Sequence, residues 1–111
     1  MTLDGDALWE ALYPAAWKLA RSADSIHERI GAAFAAIHSL SGEDFPPEQR
    51  LRFNDIVTRM TVAGAVRGAD GGLAKGAVDN TLSSMPEDEA TEIAEEIFEL
   101  FVAVAEIHFR D

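Results

Sequence analysis

The chain has no cysteine, which excludes disulfides, thiolate metal sites and a cysteine nucleophile together. Oxidising and reducing compartments are then equally tolerable. Bases are also scarce: nine lysines and arginines stand against 20 aspartates and glutamates, a net charge of −11. Direct nucleic-acid binding is disfavoured, because phosphates are met by Lys and Arg. No run approaches the ~20 apolar residues that span a bilayer. The first residues lack the basic and apolar regions of a secretory signal. The expectation is a cytoplasmic protein with no membrane contact. Strand patterning is missing too: Thr58-Arg59-Met60-Thr61-Val62 is the nearest candidate, and it sits inside a helical pattern.

Apolar residues make up 48% of the 111, so a folded core is expected despite the charge. The length fits one domain over residues 1–111. The strongest helical signal is Pro86 to Arg110. Ser83 or Ser84 can cap it, Pro86 suits the first helical position, and Glu87, Asp88 and Glu89 meet the positive end of the helix dipole. Ala90, Ile93, Ala94, Ile97, Phe98, Leu100, Phe101, Val104, Ala105 and Ile107 share one wide arc. Asp88, Glu92, Glu95, Glu96, Glu99 and Glu106 lie opposite. An arc so wide predicts contact with two or more neighbouring helices.

A second long signal keeps its phase from Leu8 to Ile37 through Leu12, Ala15, Leu19, Ile26, Ile30, Ala33 and Phe34. One helix bent at Pro14 is the expectation. The competing break is at Ser22–Ser25, where Ser25 and Glu28 suit a capping box. Residues 41–47 read as a loop, and Pro46 and Pro47 suit a helix start. A helix from about Pro47 to Val66 would bury Phe53, Ile56, Val57 and Met60. Gly68 to Gly72 reads as a flexible connector, and Leu73 to about Ser83 as a short helix weakened by Gly76 and Asp79-Asn80-Thr81. The fold class is all-α: a compact bundle of about four helices with long N- and C-terminal helices.

Few constellations invite chemistry. Glu92-x-x-Glu95 followed by Glu96-x-x-Glu99 has the spacing with which helical nucleotide pyrophosphohydrolases hold Mg²⁺. Those carboxylates point into a bundle, whereas these lie opposite the apolar arc, so a solvated face is expected. Asp24-x-x-His27 has a ligand spacing but lacks the second motif that a di-iron bundle needs. His108 falls at the centre of the last apolar arc and reads as a buried, hydrogen-bonded histidine. His38 lies just beyond the first arc and needs no role. No Gly-x-Ser-x-Gly occurs, and the stretch Gly68 to Gly76 lacks the Gly-Lys-Ser/Thr order of a phosphate loop. No catalytic residue, metal or cofactor is predicted.

Trp9, Tyr13 and Trp17 recur every four residues, and Trp17 falls on the polar side of its helix. Tryptophan is enriched at binding hot spots, so these three residues are candidates for partner contact. Glu92, Glu95, Glu96 and Glu99 are candidates for meeting a basic surface. The function expected is a small acidic, non-enzymatic binding or regulatory module that acts through protein–protein contact. Residues 50–75 carry five bases against two acids, while residues 86–111 carry nine acids and one base. That complementarity admits a homo-oligomer. Two alternatives stand beside this reading: an acidic inhibitor that mimics DNA, and a metal-dependent helical nucleotide hydrolase.

Overall fold

A computed structural model describes residues 5–21, 25–67 and 73–109 of the chain. Five α-helices carry almost all of the regular structure among them. The N-terminal signal resolves into two helices, α1 (Gly5–Arg21) and α2 (Ile26–Ile37). The break falls between Arg21 and Ile26, and α1 continues past Pro14. Ser25 caps α2, its Oγ accepting from the Glu28 backbone N–H at 3.2 Å. The single-helix expectation fails for a simple reason. Leu19 and Ile26 are seven residues apart, close to two helical turns, so the phase survives a break.

After α2 a 3-10 turn (Gly42–Asp44) leads into α3 (Pro47–Thr61), with Pro46 at the N-cap and Pro47 opening the helix. Arg50 fastens this corner by donating to the carbonyls of Gly42 (2.9 Å) and Phe45 (3.1 Å). Phe45, in the loop, is fully buried and stacks on Phe53 with centroids 4.6 Å apart. The end of α3 comes earlier than expected. Gly64 adopts φ +70°, and its N–H bonds the Thr61 carbonyl at 3.0 Å. Only glycine enters that region at no steric cost, and it ends helices there.

Two short strands follow, β1 (Val66–Arg67) and β2 (Leu73–Lys75), paired antiparallel with Val66 opposite Lys75 and Arg67 opposite Leu73. Val66 and Leu73–Lys75 were expected to be helical. The connector at residues 68–72 lies outside the described residues, as do residues 1–4, 22–24, 110 and 111.

The fourth helix, α4 (Ala77–Ser84), begins four residues later than its expected start. Its Asn80 and Thr81, poor helix formers by propensity, here close the end of α3. Asn80 Nδ2 donates to the carbonyls of Ala63 and Gly64 at 3.2 and 3.0 Å. Thr81 Oγ1 accepts from Ala63 N at 3.1 Å. These bonds satisfy backbone groups that a helix terminus leaves open.

The last helix, α5 (Glu87–His108), takes Pro86 as its N-cap. Ser83 and Ser84 do not cap it; their hydroxyls bond back to the Asn80 and Thr81 carbonyls within α4. Against α5 pack α1, α2 and α3, while α4 packs on α3 and α2. Ala90, Ile93, Ile97, Leu100 and Val104 of α5 are fully buried among Leu8, Leu12, Ile30, Ile37, Ile56 and Met60.

Candidate functional site

The apolar arc of α5 is wider than the chain covers. At about 100° per residue, Ile93, Ile97, Leu100 and Val104 lie within about 60° of one another, and all are buried. Phe98, Val102 and Phe109 also lie within about 40° of one another, centred about 150° around the helix from those four. They remain exposed, Phe98 at 54% and Phe109 at 68%. Sequence periodicity placed Phe98 with the core; the structure places it at the surface. Among the described residues no helix covers that side of α5.

Alongside runs α1, antiparallel to α5, with Asp6 near its start meeting His108 at the end of α5. It contributes Tyr13, 44% exposed, and Trp17, 47% exposed. Tyr13 belongs to a connected cluster of rings. Tyr13 lies 4.9 Å from Trp9 and 6.4 Å from Phe101, and Phe101 lies 6.4 Å from Phe98. Edge-on and tilted pairs at these separations are favourable beyond their buried area. Trp9 turns inward: it stacks on His108 at 5.0 Å and meets the edge of Phe109 at 5.9 Å. Of the three aromatic candidates on α1, Tyr13 and Trp17 reach the surface, while Trp9 packs beneath Tyr13.

Two grooves flank Phe98. One, about 360 Å³, opens among Ala16, Leu19, Ile26, Ala94 and Phe98, with Glu95 and Arg29 at its rim. The other, about 420 Å³, lies between α3 and α5, lined by Arg52, Phe98, Glu99, Val102 and Glu106.

The four candidate glutamates divide by neighbour. Glu92 accepts from Arg59 at 3.0 Å, and the same guanidinium lies 3.7 Å from Glu89 and 3.6 Å from Glu96. Glu99 pairs with Arg52. Burial works against the Arg59 charge, but the Glu92 hydrogen bond and the fields of Glu96, Glu89 and Glu92 outweigh it and raise its pKa. Glu96 is pushed upward, first by burial and then by its hydrogen bond and repulsion with Asp55, against the pull of Arg59 and Arg52. Thus Glu92, Glu96 and Glu99 are joined to the arginines of α3. Glu95 stands apart: it is exposed, lines the Phe98 groove, and forms no ion pair among the described residues.

The histidines have local partners. His27 donates through Nε2 to the Met85 carbonyl at 2.7 Å, tying the start of α2 to the turn before α5. His38 donates to the Ala35 carbonyl. His108 is half-buried and holds Asp6 at 2.5 Å. Asp24, the other half of the His27 motif, lies outside the described residues. Among the described residues no three His, Asp or Glu side chains converge as a metal site would require. Sequence reasoning put Phe98 in the core arc and did not single out Val102 or Phe109 as site residues. The available signal was the width of the α5 arc, set against a short chain with few helices to cover it.

Fold and site together define a predominantly helical protein with an uncovered aromatic face on its first and last helices. Comparison with protein-family models, curated proteins and solved structures finds no match.

Proposed function

We propose that the protein is a non-enzymatic binding module that docks another protein on the α1/α5 aromatic face. The observation that carries this reading is Phe98, more than half exposed although the residue before it, Ile97, is fully buried. Large aromatic side chains left at a surface in one group mark interaction sites more often than single exposed residues do. Tyr13 and Trp17 extend the patch, and Trp and Tyr lead among hot-spot residues. The α5 glutamates support this reading over the DNA mimic. Arg52 and Arg59 lie against Glu92, Glu96 and Glu99, so the row offers less free negative charge than a mimic needs. They also meet within one chain the charge complementarity that would otherwise favour self-association.

The test is photo-crosslinking from position 98, with position 48 on exposed Glu48 of α3 as control, in an extract of the producing cells. The expected result is a discrete adduct from position 98 only, lost when Trp17→Ser is introduced and the helical circular dichroism is unchanged. Equal adducts from both positions, or an adduct indifferent to Trp17→Ser, would refute the reading.

A further inference from the structure

We infer that the occupant of the α1/α5 face is a basic amphipathic helix, which lays its apolar side over Phe98 and its lysines or arginines on Glu95 and Glu106. This inference rests on the docking reading above and adds the chemistry of the partner.

The face is a ridge between two grooves. Phe98 borders both, and each exceeds 300 Å³, room for large side chains on either side of the ring. Extended over Val102, the ridge follows the axis of α5. From Glu95 to Glu106 it is about 16 Å long at ~1.5 Å per residue, which matches three turns of a helix lying alongside. Recognition of this kind is read by apolar residues at i, i+3 or i+4, and i+7 on the docked helix.

Charge decides the occupant. Glu95 and Glu106 are exposed, border the two grooves, and form no ion pair among the described residues. Glu10 shares the side of α1 that carries Tyr13 and Trp17, and it too forms no ion pair among the described residues. The basic residue of the first groove, Arg29, is half-buried and turned toward the Leu19 carbonyl at 3.4 Å. The basic residue of the second groove, Arg52, is paired with Glu99. The rim therefore carries an excess of acid around an apolar centre, on a chain of net charge −11. A second copy would bring the same acids against these, and like charges brought together at an interface suppress binding. An anionic membrane surface is disfavoured for the same reason.

The experiment uses the full chain and three synthetic 18-residue peptides. The first is a Leu/Lys helix with leucine at i, i+3, i+4 and i+7. The second has the same composition, scrambled to abolish the apolar side. The third keeps the leucines and replaces lysine by glutamate. Fluorescence anisotropy of the labelled peptides is followed at low and moderate salt. Expected are micromolar binding of the first peptide and at least tenfold weaker binding of the other two. Phe98→Ser should weaken the first peptide tenfold, and Glu95→Gln with Glu106→Gln should weaken it severalfold, mainly at low salt.

Equal binding of the scrambled peptide would reduce the effect to bulk charge and overturn the inference. So would a dimer of the free chain that Phe98→Ser dissolves, or capture by phosphatidylcholine vesicles without peptide binding. Phe98-dependent binding of the Leu/Glu peptide as tight as the Leu/Lys peptide would overturn the basic partner while leaving the docking face standing. Crosslinking that ignores Trp17 would instead remove the face itself.

Discussion

His108 stacks its ring on Trp9, with centroids 5.0 Å and planes 21° apart, while its Nδ1 lies 2.5 Å from Asp6 Oδ1. One histidine near the C-terminal end of α5 thus clasps the first turns of α1. It also fixes the indole that underlies Tyr13, so the shape of the aromatic face depends on it. The two contacts are unequal. The Asp6 side chain is 77% exposed, whereas the Trp9 ring is half-buried. Asp6→Asn should change stability by about 0.5 kcal/mol or less, as exposed ion pairs do. His108→Ala, which removes the stack as well, should cost about 0.5–1.5 kcal/mol more. Thermal unfolding of both variants ranks them; equal losses would assign the clasp to charge rather than stacking.

Arg59 is the hinge of the charge pattern between α3 and α5. Its side chain is 21% exposed and stands among three glutamates. Removing it leaves Glu96 and Asp55 facing each other without the nearest cation. Arg59→Ala should therefore cost about 1–3 kcal/mol, between the values for an exposed pair and a broken buried one. A urea titration reads this directly. A loss below that of Arg52→Ala, whose guanidinium is more exposed, would contradict the central place of Arg59.

The Glu96–Asp55 pair sets a pH dependence. Burial first, and Asp55 second, hold the Glu96 carboxyl above its ordinary range. The folded state then keeps a proton where the unfolded chain has lost it. Stability is therefore reduced as pH rises from the unfolded carboxylate value through the folded one, and recovered as pH falls. Asp55→Asn should relieve the repulsion and stabilise the fold near pH 7 by about 0.5 kcal/mol, the scale of surface charge terms. The gain should fade below the ordinary carboxylate range. Unfolding at pH 7 and pH 4 checks the sign: a variant less stable than wild type at pH 7 would show that Asp55 is held mainly by Arg59.

Gly64 isolates a purely conformational effect. A side chain there would meet nothing within 4 Å, yet φ is +70°. Gly64→Ala should cost about 1 kcal/mol from the left-handed backbone alone. Gly64→Asn should cost less, because Asn tolerates that region better. Equal costs for the two would point to a contact instead.

Much of the architecture could be read from periodicity, since burial along a helix follows a 3.6-residue rhythm. The core side of α5, the α3 residues Phe53, Ile56 and Met60, and the cap at Ser25 all follow from local sequence. The break between α1 and α2 was concealed by the seven-residue step from Leu19 to Ile26, which preserves phase. Val66–Arg67 and Leu73–Lys75 are too short to alternate visibly, so their pairing had no sequence signature. The capping of α3 by Asn80 and Thr81 is a tertiary contact, and propensity read those residues only as weak helix formers. For the site, Tyr13 and Trp17 were legible from their four-residue spacing. Phe98 was not, because a wheel shows which residues share a side and not how much of that side the rest of the chain covers.

The neighbours Ile97 and Phe98 give the sharpest test of that distinction. Both are large and apolar, one bond apart on the same helix, and one is 0% exposed while the other is 54% exposed. Area alone would rank the phenylalanine higher. Coverage reverses the order. Ile97→Ala opens a cavity in a packed core and should cost about 2–5 kcal/mol. Phe98→Ala removes a ring that already faces water on one side and should cost about 1 kcal/mol or less, in the range of surface substitutions. Trp17→Ala, with a similarly exposed side chain, should fall between them. In binding the order inverts: Phe98→Ala and Trp17→Ala should each lose about 2 kcal/mol or more against a docked partner, as hot-spot residues do. Denaturant titration of the three variants, beside their affinity for the Leu/Lys peptide, measures both scales. A Phe98→Ala variant as unstable as Ile97→Ala would mean that the ring is covered in solution, and the face would cease to be a docking surface.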